Sequence, residues 1–108
     1  MFRSRKPVLT DATERWIAEM AKELGVKPKA LKRAVLKLAE HGIWLEDEDW
    51  RIAAKSLDLS KYLNMVVDYI IRRVAAGATA QQAIQELPTA VEKAGKLEHI
   101  KAILENLI

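Results

Sequence analysis

Apolar residues recur at helical spacing along most of this chain. The pattern predicts a helix over residues 11–24, a second over 28–41 and a third over 60–76. In each of these stretches the apolar side chains lie on one face, and a glycine follows the last turn, where a left-handed residue ends a helix. Thr10 or Asp11 can cap the first helix, and Asp11 and Glu14 have the spacing of a capping box. The N-terminal and central parts of the chain are therefore expected to be mainly helical.

The C-terminal part also has helical spacing, broken by one proline. Thr79 and Gln82 are spaced as a capping box, which predicts a helix starting there and running through Leu87. Pro88 is expected to end this helix, because proline lacks the N–H that a helix interior requires. Apolar residues at helical spacing over 89–108 predict further helix beyond it, interrupted near Gly95.

The spacing changes to a period of two over residues 43–53. Ile43 and Leu45 alternate with Trp44 and Glu46. After the acidic run of residues 46–49, Trp50 and Ile52 alternate with Arg51. With the acidic run as a turn, this pattern predicts a short β-hairpin. The alternative is a helix that continues into residues 52–57.

Charge is distributed unevenly over the 108 residues, although the net charge is only +3. Residues 1–37 hold ten basic and four acidic side chains, a net charge of +6. Residues 38–58 have a net charge of −4, and the remainder has a net charge of +1. A positive field concentrated in one third of a chain indicates an anionic partner, most often nucleic acid.

The sequence lacks the residues and motifs that several classes of protein chemistry require. The chain has no cysteine, and its two histidines, His41 and His99, have no metal-ligand spacing. It has no glycine-rich phosphate loop, no nucleophile motif, no signal sequence and no apolar run of transmembrane length. We therefore expect a cytoplasmic protein that is not an enzyme, with no cofactor, no bound metal and no small-molecule substrate.

Residues 21–43 resemble the helix-turn-helix of winged-helix DNA-binding proteins. Leu24, Gly25 and Val26 match the turn, residues 28–41 match the recognition helix, and residues 43–53 match the wing. The resemblance implies a mainly α fold: a winged helix-turn-helix-like N-terminal half with a short β-hairpin, followed by a C-terminal helical extension.

The same resemblance divides the chain into a DNA-binding region and a packing region. The first covers residues 1–57 and the second, for helix packing or oligomerisation, covers residues 58–108, within what we expect to be one continuous domain. Ribbon-helix-helix proteins offer a second resemblance, with residues 2–9 as the strand and Arg3 and Arg5 on one of its faces.

Eight cations are the candidate DNA contacts. They are Arg3, Arg5, Lys6, Lys27, Lys29, Lys32, Arg33 and Lys37. On a helical wheel, those of the second helix lie opposite its apolar face. Arg33 is the best candidate for reading guanine, since its planar fork can bond two acceptors, and Lys32 enters the groove beside it. Lys27, Lys29 and Lys37 suit phosphates.

The sequence thus predicts a sequence-specific double-stranded DNA-binding protein. A small transcriptional regulator or a plasmid or phage control factor is the favoured class, acting as a homodimer through its C-terminal helices. One alternative is a helical protein–protein interaction module, with residues 46–49 and Leu36 on the contact surface. Another is a protein that binds RNA or single-stranded DNA.

Overall fold

The computed structural model describes the backbone of residues 10–107 and the side chains of residues 10–95, 105 and 106. This part of the chain is built from five helices and contains no strand. The helices are α1 (Asp11–Leu24), α2 (Pro28–Glu40), α3 (Asp47–Ser56), α4 (Leu59–Ala75) and α5 (Ala80–Leu107). The expectation of a mainly helical chain is confirmed.

The β-hairpin predicted over residues 43–53 is wrong, and with it the winged form of the fold. Residues from Asp47 onward form α3, and no strand occurs anywhere in residues 10–107. The backbone N–H of Glu46 donates to Asp49 Oδ2 at 3.0 Å, which is half of a capping box. The carboxylates that a turn would have exposed instead occupy the first turn of α3, where the positive end of the helix dipole stabilises them.

Helix α5 continues through Pro88, where the sequence predicts its end, and through Gly95, where the sequence predicts an interruption. Its start is as expected, because Thr79 and Gln82 exchange hydrogen bonds between side chain and backbone at 2.9 and 3.0 Å. Pro88 removes one backbone bond, but Ile84 and Leu87 are buried in the core on its N-terminal side and Val91 packs against the core on the other. Packing on both sides therefore carries the helix across the proline.

One apolar core contains residues from all five helices. It extends from Ile17 in α1 to Leu87 in α5, and the Trp50 side chain, only 1% exposed, is the largest within it. Helix α2 packs against α1 on one side and α4 on the other, while α3 packs against α5 and α1. Among the helices of residues 10–107, none combines the length and apolar character needed to cross a membrane.

Candidate nucleic-acid interface

The turn between α1 and α2 consists of Gly25, Val26 and Lys27. Gly25 has a φ of 74°, a conformation in which a Cβ is unfavourable. The N–H of Val26 donates to the carbonyl of Ala21 at 3.0 Å, and the Val26 side chain is buried. Pro28 begins α2, at a position that needs no intrahelical N–H. The turn is thus anchored in the core, and Lys27 is exposed directly before α2.

Helix α2 has a buried face and a charged face, as its sequence predicts. The buried residues are Leu31, Ala34, Val35 and Leu38. At about 100° per residue, Lys29, Leu36 and Glu40 point most nearly away from that face, with Arg33 beside them. Leu36 is half-buried, and the other three are exposed. The outer face therefore carries its cations, Lys29 and Arg33, in the N-terminal half of α2. The Glu40 carboxylate lies about 16 Å beyond Lys29 along the helix axis.

Two of the predicted DNA contacts, Lys32 and Lys37, are paired with carboxylates of neighbouring helices. Lys32 Nζ lies 3.2 Å from Glu14 Oε1 of α1, and Lys37 Nζ lies 3.0 Å from Asp68 Oδ1 of α4. Roughly half of each of these side chains is exposed to solvent, so the ion pairs are weak and readily exchanged for a phosphate. The pairs also show that Lys32 faces the α1 side of α2 and Lys37 the α4 side.

A cleft of about 630 Å³ opens between the α1–α2 turn, α2 and the first turns of α4. We call it the basic cleft, because Lys27, Arg33 and Lys61 line it from those three elements and no carboxylate of the described residues does. Within residues 10–95, none of the three has an ion pair. Pro28 and Leu63 are among the apolar residues of its wall. The cleft is therefore a recess lined by three cations and by no carboxylate of the described residues.

The polar side chains at the start of α4 differ in whether they have a free hydrogen-bond donor for this cleft. Ser60 donates to Asp58 Oδ1 from its hydroxyl at 2.6 Å and from its backbone N–H at 3.0 Å. These bonds, the side-chain one above all, hold the pKa of Asp58 below its ordinary value. The positive charge of Lys61 contributes to the same shift, so Asp58 balances part of that charge. The Ser60 hydroxyl hydrogen is thus already used. The Asn64 amide lines the cleft and can donate there.

The acidic start of α3 lies against the other side of α1. Trp16 Nε1 donates to Asp47 Oδ1 at 2.6 Å, and Arg51 Nε donates to Glu23 Oε2 at 2.6 Å. The hydrogen bond from Arg51 lowers the pKa of the Glu23 carboxyl. Trp16 lies about 160° around α1 from Glu14, which contacts α2. The carboxylates of α3 and the cations of α2 are therefore separated by α1.

A second polar cleft, of about 570 Å³, lies between α4 and α5. Its Arg73 donates to the two carboxylate oxygens of Glu86 at 2.9 and 3.2 Å, and this bonding raises the pKa of Arg73. The guanidinium charge is compensated there, unlike that of Arg33. No cluster of three or more His, Cys, Asp or Glu side chains in the described residues could hold a metal ion.

The predicted contacts are therefore distributed over three places. Lys27 and Arg33 line the basic cleft, whereas Lys29 and Lys32 line a shallower groove between α1 and α2. Lys37 lies on the α4 side of α2. The remaining three, Arg3, Arg5 and Lys6, lie outside the described residues.

Lys61 was missed by reasoning from the sequence. Its position in the first turn of α4 follows from helical spacing, but the spacing does not reveal that this turn packs beside α2. No local signal in the sequence connects residue 61 with residue 33.

Comparison with known proteins adds no family to this description. No protein-family model matches the chain, no curated protein matches it, and no solved structure matches it.

Proposed function

We propose that this protein binds double-stranded DNA through one basic surface. The surface consists of Lys27, Lys29, Lys32, Arg33, Lys37 and Lys61, and we call it the basic surface. The observation that carries the proposal is that three cations from three separate elements, none of them in an ion pair within residues 10–95, line one cleft that no described carboxylate lines. Uncompensated lysine and arginine side chains gain affinity for DNA by neutralising phosphates and releasing counterions.

The placement of α2 supports an approach to the major groove. Its outer face is exposed, and a helix with its side chains has about the width that the groove accepts. In this arrangement Lys29 and Leu36 face the base edges, and the flanking cations reach phosphates. The acidic start of α3 lies on the far side of α1, so it does not oppose this approach.

In functional terms we propose a small transcriptional regulator or a plasmid or phage control factor. Such a protein acts by occupying a site on DNA, which requires sequence-reading side chains on the helix in the groove. The exposed outer face of α2 supplies positions for them.

We also propose that the protein acts as a homodimer. An apolar groove between α4 and α5 is lined by Met65, Tyr69 and Val91, among others, and 62% of the Met65 side chain is exposed. Helix α5 continues past this groove to Leu107. Its later sequence repeats apolar residues at spacings of three and four: Leu97, Ile100, Leu104 and Leu107. A two-fold contact would place α5 of each copy against the groove of the other, as symmetric dimers of self-complementary surfaces do.

The DNA proposal is tested by removing charge from the basic surface and, separately, from elsewhere. The test variant combines Lys27→Ala, Lys29→Ala and Arg33→Ala. The matched control combines Lys55→Ala, Arg72→Ala and Lys93→Ala, three exposed cations outside the basic surface. Fluorescence anisotropy with a random-sequence duplex would measure the affinity of each protein from 50 to 200 mM salt.

We expect the unmodified protein to lose roughly 100- to 1,000-fold in affinity over that range, as four to six phosphate contacts imply. The test variant should bind more than about 30-fold more weakly at 100 mM salt, with a salt slope smaller by about 2 to 3, whereas the control should change little. Equal losses in the two triple variants, or tighter binding to a single strand of DNA or RNA of the same length, would contradict the proposal.

A further inference from the structure

We propose that the basic cleft binds a single phosphate group, held by Lys27, Arg33 and Lys61. The inference rests on the proposed function, because the phosphate that we expect in the cleft is one of the DNA backbone. Binding of a phosphate to the cleft is nevertheless measurable without any DNA.

The cleft has the charge and the donors that a phosphate requires. Its three cations come from a turn and from two helices, so a ligand in the cleft is bordered by cations of three separate elements. The Arg33 guanidinium can donate two parallel hydrogen bonds to phosphate oxygens, and the two ammonium groups add charge. The Asn64 amide supplies a further neutral donor.

The rest of the wall strengthens these interactions. Val26, Leu59 and Leu63 are buried residues that also line the cleft, so part of its wall is apolar. Charge-assisted hydrogen bonds are stronger beside an apolar wall than in open water, because the local dielectric constant is lower. A volume of about 630 Å³ exceeds that of one phosphate and leaves room for the sugar attached to it.

Pro28 separates this cleft from the groove that Lys29 and Lys32 line. Arg33 lies on the α4 side of that division and Lys29 on the α1 side. The structure thus assigns Arg33 to a phosphate, in contrast to the guanine contact that its guanidinium suggests from sequence alone. The two assignments differ in their consequences, because a phosphate contact affects all sequences equally and a base contact affects one position.

Two sources of phosphate share this chemistry. One is an internal phosphodiester of the duplex, and the other is a terminal phosphomonoester such as the 5′-phosphate of a strand. Both would engage the same three cations, so the experiment includes duplexes with and without 5′-phosphates.

The first experiment measures duplex affinity for Arg33→Ala and Lys61→Ala, with Lys55→Ala as the control that removes an exposed cation of α3. We expect each cleft variant to bind roughly 5- to 30-fold more weakly, uniformly over a panel of sequences, with a salt slope smaller by about 1. Equal losses with and without 5′-phosphates identify the internal phosphodiester, and losses confined to the phosphorylated duplex identify the terminal group.

The second experiment titrates inorganic phosphate into the free protein and follows backbone amide resonances by NMR, with chloride at equal ionic strength as reference. Phosphate-specific shifts at Val26, Lys27 and residues 59–64 that vanish in Lys61→Ala support the cleft, even if the protein fails to bind duplex DNA and the proposed function is wrong. The inference is overturned if no such shifts occur, or if Arg33→Ala relaxes specificity at one base pair while Lys61→Ala binds like the unmodified protein.

Discussion

Gly25 and Gly95 show, at the scale of single residues, how backbone conformation decides the cost of a side chain. An added Cβ would meet no atom within 4 Å at either position. Gly25 has a φ of 74° at the end of α1, whereas Gly95 lies inside α5 with helical geometry. The same methyl group is therefore unfavourable at one glycine and favourable at the other.

We expect Gly25→Ala to lower the free energy of unfolding by about 1–2 kcal/mol, the cost of a left-handed conformation for a residue with a Cβ. Gly95→Ala should raise it by roughly 0.5–1 kcal/mol, because alanine loses less backbone entropy in a helix. Urea denaturation followed by circular dichroism measures both. If the free energy of unfolding changed in the same direction in both variants, backbone conformation would not explain their effects.

Residue roles that depend on local geometry follow from the sequence, and those that depend on neighbours do not. Thr10 caps α1 by accepting the N–H of Thr13 at 3.1 Å, as its position predicts. Lys32 and Lys37 have carboxylate partners 18 and 31 residues away, which no spacing rule indicates.

At the scale of elements, α3 shows why a short alternating pattern is ambiguous. The alternation places Ile43, Leu45, Trp50 and Ile52 on one face; the first three are buried, and Ile52 is half-buried. The backbone differs because residues 43–46 are a link without regular secondary structure and α3 begins directly after them. Over about ten residues, burial alone does not separate a hairpin from a link followed by a helix, and the acidic run suits the N-terminus of a helix better than a turn.

Pro88 gives an element-scale prediction, because it lies exposed inside α5 and interrupts one backbone hydrogen bond. Pro88→Ala should raise the free energy of unfolding by about 1–3 kcal/mol, as the missing bond forms and the ring's clash with the preceding turn disappears. Urea denaturation measures the change. Gln85→Ala, at an exposed position of the same helix, is the control and should alter stability by less than about 0.5 kcal/mol. A destabilised Pro88→Ala protein would show that the core requires a bend at this point.

At the scale of the whole molecule, the proposed dimer depends on the apolar groove between α4 and α5. Met65→Glu places a charge in that groove on a side chain that is already 62% exposed, so the fold of one copy should tolerate it. Sedimentation velocity should find a dimer for the unmodified protein and a monomer for Met65→Glu at the same concentration. Gln81→Glu, an exposed change at the start of α5, serves as the control and should remain dimeric. A monomeric unmodified protein would contradict the homodimer.

The sequence by itself determined α1, α2 and α4 closely, the buried face of each, and the positive charge of the N-terminal third. These features depend on spacing, capping and composition, which act within a few residues. Only the tertiary structure decided that residues 47–56 are helical, that α5 continues past Pro88, and that α4 adds Lys61 to the basic cleft. It also decided that Lys32 and Lys37 are paired with carboxylates, whereas Arg33 has no ion pair within residues 10–95. The physical reason is that core packing and ion pairing depend on which helices become neighbours, and those helices are far apart in the chain.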